Sequence, residues 1–240
     1  MKIEIWSDFV CPFCYMGKRR LENAMEQFAH RNEIEVEYKS YQLDPEAKHI
    51  EGMNFYETFS KLKGFPLEQT IAMNKQVAQQ ASTLQLTYNF DTMKYANTFD
   101  AHRVAKYAAE KGKGKEATER FLYAYFTESK LISDHETLIE LAGEIGLDKE
   151  EVAEVLASDR YAQAVHHDIR QAYQIGVQGV PFFVFNRKYA ISGAQPETVF
   201  LQTLEKVWEE ETNVKPVLQT LNPTGADAGV CTDEGCEIKK

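Results

Sequence analysis

The chain has 240 residues, 43% of them hydrophobic and 27% charged, and a formal net charge of −10. Length and apolar content are those of a globular protein whose core needs no staples. A negative field of that size repels phosphate backbones and anionic bilayers, which sets aside nucleic acid and membrane as partners.

Taken in chain order, Ile3 to Val10 is short, apolar and aromatic, and reads as a buried strand. Cys11-Pro12 opens a helix, since proline's missing N–H costs nothing at the first helical position. Leu21, Met25 and Phe28 give that helix one apolar face. Ile34, Val36 and Tyr38 alternate with Glu35, Glu37 and Lys39, a strand with one wet face. Residues 1 to about 43 thus form a β-α-β unit. From 46 to 175 only helical patterns occur. Ile71, Asn74, Ala78 and Ala81 share a face, as do Ala101, Val104, Ala105 and Ala108, while Phe121, Leu122, Tyr125 and Phe126 crowd a third. Ser133 with Glu136 predicts a capping box, Asp148 with Glu151 a second, and Ser158-Asp159 a cap for one more helix. Strand character returns at 181–185, a turn at 186–188 leads to a partner strand at 189–191, and Pro196 starts a last helix. Pro216, Pro223, Gly225 and Gly229 break up residues 212–240, predicting a mobile tail.

The order is β-α-β, a helical block, then β-β-α. It is that of a thioredoxin fold in which an inserted all-helical domain replaces a single helix. The expected fold class is therefore α/β. Residues 1–45 and 176–211 form the thioredoxin-like core, and 46–175 form the inserted domain, whose last helix is free to rejoin the core.

Four cysteines fall in two local pairs, Cys11 with Cys14 and Cys231 with Cys236. A structural disulfide framework would spread them through the chain, so local pairs point to redox chemistry or metal binding. In Cys11-Pro12-Phe13-Cys14 the first sulfur sits at a helix N-terminus, where free N–H groups favour an anion. Cys11 is expected to be the exposed nucleophile and Cys14, one turn deeper, the resolving thiol. Zinc knuckles share the spacing, but the position between a strand and a helix start favours a dithiol. Phe13 places no cation beside Cys11, which predicts a moderate thiolate.

Val180-Pro181 follows the glycine-containing loop 176–179 and precedes an apolar strand. Pro181 is either a plain strand-start proline or a cis residue that exposes the Val180 backbone to an extended substrate. Asp8 is expected to cap the first helix or, less simply, to accept a proton. His102 stands on a helix that would roof the site. The adjacent His166 and His167 point to different sides and do not form a metal site. Lys111 to Lys115 lacks the spacing of a phosphate loop and reads as a solvated connection.

Four stretches together are similar to the DsbA-like thioredoxin family, nearest its FrnE-type branch: Trp6 to Cys14, Asn97 to Arg103, Gly176 to Phe183 and Ile191 to Gln195. The resemblance covers residues 1 to about 210. It implies a thioredoxin core with a helical insertion, a cis Pro181 and thiol–disulfide exchange. Some relatives resemble this chain in a C-terminal CxxxxC, which makes Cys231 and Cys236 a candidate auxiliary redox pair; a local staple or a metal clip are the alternatives. Kappa-class glutathione transferases and 2-hydroxychromene-2-carboxylate isomerases share the fold but use serine at the position of Cys11.

The reading is a thiol–disulfide oxidoreductase with Cys11 and Cys14 catalytic and Phe13, Val180 and Pro181 binding substrate. No metal and no bound organic cofactor are expected, though glutathione could exchange transiently with Cys11. Partners would be protein or small-molecule thiols and disulfides, and an electron donor or acceptor. The N-terminus carries no basic and apolar leader, and no stretch of about 18 apolar residues occurs, so a cytoplasmic location is expected. The rivals are a chaperone-like groove for unfolded chains and a glutathione-dependent isomerase or transferase.

Overall fold

Alternation along the first strand decides which layers the sheet carries. In β1 (Lys2–Ser7), Ile3 and Ile5 point to one face and Glu4 and Trp6 to the other, and all four are buried. A computed structural model describes residues 1–212 and the backbone of 230–232 and 235–237. β1 pairs in parallel with β2 (Glu35–Ser40) across α1 (Pro12–Gln27), and antiparallel with β3 (Phe182–Phe185). β4 (Tyr189–Ser192) continues the meander, so the sheet order is β2-β1-β3-β4.

On the first face Ile3, Ile5, Phe183 and Phe185 pack with Leu21 of α1 and with Phe200 and Leu204 of α9 (Glu197–Thr212). Phe183 and Phe200 meet edge to face at 4.8 Å, a geometry the ring quadrupoles favour. On the second face α8 (Ala162–Gln174) covers Trp6, whose Nε1 donates to the Asp168 carbonyl at 2.9 Å. The Asp168 carboxylate accepts the Ser40 N–H at 2.8 Å and pairs with Lys106, which ties α8 to β2. Glu4, a charged residue inside a strand, lies on this face and is 3% exposed. Arg187 holds it with two hydrogen bonds of 3.0 and 3.1 Å. Burial disfavours its charge, but Arg187 and Lys39 outweigh that and hold its carboxyl below the ordinary range.

Between β2 and β3 the chain is helical: α2 (Phe55–Lys63), α3 (Leu67–Ser82), α4 (Phe99–Glu110), α5 (Gly114–Phe126), α6 (His135–Glu144), α7 (Lys149–Leu156) and α8. Their core, with Val104, Phe121, Leu122, Phe126, Leu138 and Val152 fully buried, continues into Phe9, Tyr15 and Met16. The helical block therefore grips the segment that carries the dithiol.

Asp148 caps α7 as read from the sequence, accepting the Glu150 N–H at 2.8 Å. Two other caps differ. Asp134, not Ser133, caps α6: its carboxylate accepts the Thr137 N–H at 2.8 Å, and an anion suits a helix N-terminus better than a hydroxyl. α8 starts from Tyr161 in the left-handed region, at φ 64°, with no side-chain cap. Ser158 instead turns its hydroxyl back to the Glu154 carbonyl at 2.7 Å. No helix among the described residues is long and apolar enough to cross a membrane.

β5 (Val230–Thr232) and β6 (Gly235–Glu237) pair antiparallel with Cys231 opposite Cys236. The side chains of that pair, and the rest of the expected mobile tail, lie outside the described residues.

Candidate active site

Two stretches far apart in sequence build the site. The β1–α1 turn carries Cys11 and Cys14, and the loop before β3 carries Val180 and Pro181. Cys11 is the N-cap of α1, with Pro12 at the first helical position, and the Cys14 N–H closes the first turn on the Cys11 carbonyl at 3.0 Å. The register of β1 with β3 places Trp6 opposite Phe182 and so brings the two loops together at one end of the sheet. There the Val180–Pro181 peptide bond is cis, and the Cys11 thiol donates to the Val180 carbonyl at 3.5 Å.

Cys11 departs from its expected exposure. It is 3% exposed, because Val180 covers it on one side and the helical block closes on its turn from the other. The hydroxyl of Tyr88, from the segment between α3 and α4, donates to the Pro12 carbonyl at 2.7 Å, while its ring stacks on Phe126 at 4.4 Å. Burial, then the nearby Cys11, push the Tyr88 phenol far up, so it stays a neutral donor. Phe13 is the exposed member of the motif, at 43%.

Cys14 lies deeper. Burial pushes its thiol well up, and the hydrogen bond and charge of Cys11 act in the same direction. Two contacts on its sulfur oppose them, the Asp8 backbone N–H and the Ser7 hydroxyl. The pair is thus asymmetric: one sulfur faces the Val180 loop and the other is held behind it by protein donors.

Asp8 does not cap α1. Its carboxylate is fully buried and accepts the Leu43 N–H at 2.7 Å, and its backbone, not its side chain, meets the helix start, the carbonyl accepting the Cys11 N–H at 3.1 Å. His102 of α4 reaches it: Nε2 lies 3.4 Å from Asp8 Oδ1 and 2.9 Å from the Tyr41 carbonyl. His166 packs against Phe99 with tilted rings whose centroids are 5.1 Å apart.

Gly17 is a site residue that sequence reading missed. A Cβ there would stand 3.0 Å from both the Pro181 ring and the Phe183 ring, so only glycine lets α1 approach the Pro181 loop this closely. The signal was present, since a glycine inside a helix costs about 1 kcal/mol against alanine and needs a packing reason. The loop is clamped further where Arg20 donates to the Ala194 carbonyl and the Gly193 N–H to the Pro181 carbonyl at 2.8 Å. Gly17→Val is expected to fold at a cost of about 1–3 kcal/mol of overpacking. By pushing Pro181 off α1 it should slow the reaction of the dithiol with a small disulfide by roughly 10- to 100-fold. Thermal melts and stopped-flow thiol release check the two effects, and an unchanged rate would show that the contact does not position the loop.

Comparison with known proteins follows this geometry. The family model of the DSBA-like thioredoxin domain matches residues 2–205. A solved structure of a probable DsbA oxidoreductase, SCO1869 of Streptomyces coelicolor, is 36% identical, with all of both chains covered and a TM-score of 0.82. The protein YwbO of Bacillus subtilis is 28% identical over 201 residues, 82% of this chain and 92% of that protein. The cytosolic disulfide reductase DsbM of Pseudomonas aeruginosa, solved with GSH, shares the fold at 17% identity. It covers 87% of this chain and 100% of its own, with a TM-score of 0.59.

Proposed function

The chain belongs to the family of DSBA-like thioredoxin domains, and from that membership we propose that it is a thiol–disulfide oxidoreductase working through Cys11 and Cys14. The observation that carries the reading is the Cys11 thiol at 3.5 Å from the Val180 carbonyl, beside the cis Pro181, with Cys14 behind it at the start of α1. An extended segment laid against the backbone of Val180 would bring its own sulfur to Cys11, with the exposed ring of Phe13 as apolar contact.

In the reducing direction the Cys11 thiolate attacks one sulfur of a substrate disulfide and the other sulfur leaves as a thiolate. Cys14 then attacks the Cys11 sulfur, the substrate's second thiolate leaves, and the Cys11–Cys14 disulfide remains. Oxidation of a dithiol is the same sequence reversed. Either direction needs an external thiol or disulfide partner to reset the pair. Glutathione is a candidate small partner, supported only by fold through the GSH-bound reductase, and its use here would be transient exchange at Cys11. Local cysteine pairs, in place of a spread disulfide framework, support a cytoplasmic setting.

The reading is tested by trapping. In Cys14→Ser the resolving thiol is gone, so incubation with glutathione disulfide or a cysteine-containing peptide disulfide should leave a stable adduct on Cys11, located by peptide mass spectrometry. Wild type should show the internal disulfide in its place. If no adduct forms on Cys11 in that variant, the dithiol is not the reactive centre.

A further inference from the structure

Three segments flank the dithiol turn, and each presents an exposed apolar side chain. Phe13 belongs to the motif itself and is 43% exposed. Leu43, 45% exposed, stands on the stretch that carries β2 past Ser40. That stretch runs beside the turn: the Tyr41 N–H donates to the Ser7 carbonyl at 3.1 Å and the Leu43 N–H to the Asp8 carboxylate at 2.7 Å. Tyr173, 62% exposed, has its ring 6.1 Å from that of Tyr41. Its carbonyl accepts the Gly176 N–H at 3.1 Å, where the loop to Val180 begins. Scattered exposed apolar residues need no explanation, but three on the segments around one nucleophile mark a recognition surface.

The charges on these segments are one-sided. Residues 7–14 carry Asp8 and no other charged group, and residues 176–181 carry none. The cations of α1 are all committed: Lys18 to Glu22 and Glu119, Arg19 to Glu119, and Arg20 to the Ala194 carbonyl. The stretch after Leu43 adds two carboxylates. Asp44 accepts the Tyr95 hydroxyl at 2.7 Å and the Glu46 N–H at 3.2 Å, neutral donors that leave its charge uncompensated. Glu46 is exposed. The wall opposite the Val180 loop is thus apolar at Leu43 and anionic at the two positions beyond it.

We propose that Leu43, Asp44 and Glu46 are the specificity wall of the site, selecting disulfides of basic polypeptides with an apolar residue beside the cysteine and turning away glutathione disulfide. The substrate backbone lies on Val180, its apolar side chain packs on Leu43 and Phe13, and its lysine or arginine neighbours meet Asp44 and Glu46. Glutathione disulfide is a net anion at neutral pH and has no apolar side chain. It brings carboxylates to a wall that already holds carboxylates, and like charges across an interface reject a partner while opposite charges speed encounter. The three wall residues touch the flanks of the substrate, so they set which disulfide is accepted, and Cys11 and Cys14 remain the catalytic pair.

This inference rests on the oxidoreductase reading, and the experiment separates the two. Two short peptides holding one cysteine followed by leucine, one flanked by lysines and one by glutamates, are each joined by a disulfide to the same coloured aromatic thiol. On mixing with the reduced full chain, the Cys11 thiolate bonds to the peptide sulfur and the coloured thiolate leaves with the electron pair. Each rate is divided by that of mercaptoethanol with the same peptide, which removes intrinsic reactivity. At low salt wild type should favour the lysine-flanked peptide by about 10-fold, a ratio that falls towards one as salt screens the wall. Glutathione disulfide should react about 10-fold more slowly than that peptide on the same scale. Asp44→Asn combined with Glu46→Gln should lower the ratio by about 3- to 10-fold. Glu209→Gln should leave it unchanged, since the end of α9 lies beside Asn186 at the far end of the sheet. Leu43→Ser should slow both peptides by about 5- to 10-fold and keep their ratio. A wild-type ratio near one, or a ratio that Glu209→Gln lowers as much as the double variant does, would overturn the wall. Should Asp44→Asn fail to fold, Glu46→Gln alone decides. A wild type that releases no thiolate from either peptide and leaves glutathione disulfide intact would instead overturn the oxidoreductase reading.

Discussion

Cys11→Ser is expected to fold normally and to lose catalysed disulfide exchange down to the uncatalysed background. A hydroxyl is nearly isosteric with the thiol and donates to the same Val180 carbonyl, so stability should change by no more than about 1 kcal/mol. Activity disappears because the exchange consists of making and breaking bonds at that sulfur. A serine forms no mixed disulfide and presents no anion at neutral pH. Glutathione-disulfide exchange or insulin reduction, each with a thermal melt on the same sample, reads both properties. The variant also separates the rival enzyme reading. A glutathione-dependent isomerase or transferase on this fold would tolerate serine at position 11 and keep turning over its aromatic substrate. Exchange well above background in Cys11→Ser would move the nucleophile elsewhere, with Cys14, Cys231 and Cys236 the remaining cysteines.

Arg103→Met should be the most damaging single change to stability outside the apolar core. The guanidinium is 5% exposed and gathers the end of α7 and the turn after it. Nε donates to the Arg160 carbonyl at 3.0 Å, one terminal nitrogen reaches the carbonyls of Val155 and Ser158, and the other pairs with Asp100 at 2.7 Å. The last carbonyls of a helix have no partners within it and carry the negative end of its dipole, so a buried forked cation is suited to them. Methionine fills similar volume but takes the guanidinium from those carbonyls and from Asp100, which keeps only His135 at 2.8 Å. The expected loss is about 3–5 kcal/mol, a fall in Tm of roughly 6–20 °C for a chain of this size. Arg103→Lys should recover little of it, since an ammonium cannot span the fork. A drop below about 1 kcal/mol in urea melts would mean the contacts are replaced by solvent. Because His102 is the neighbouring residue, the variant is also expected to loosen the floor under Asp8.

Both predictions use residues that the sequence singled out, but with unequal clarity. Cys11 and Cys14 stood out because their spacing, the preceding apolar strand and Pro12 are all local signals, and local signals survive folding. The same holds for the β-α-β start, for the helical periodicity from α3 to α8, for Asp148 as a cap, and for Pro181 at the head of an apolar strand. Arg103 lay within a motif stretch yet carried no visible role, because its partners Val155, Ser158 and Arg160 come from a different helix and turn. Ser133 and Ser158 fit the capping pattern yet do not cap, for a related reason. Capping patterns name several oxygens within reach of a helix start, and the final turn geometry chooses among them.

What the amino-acid order determined alone is β1 to β4, the helices α1 and α3 to α9, their sequence along the chain and the placing of the cysteine pair at a helix start, since strand alternation, helix period and helix-start preferences act between near neighbours. What only the folded chain decided is who surrounds that dithiol. Asp8 leaves the helix it was expected to cap because Leu43 and His102 arrive beside it, Cys11 is covered because Val180 meets it, and Gly17 matters because Pro181 packs against it. Burial and partner choice are set by segments tens to hundreds of residues apart, brought to one place by the register of β1 with β2 and β3, and no local pattern encodes that meeting.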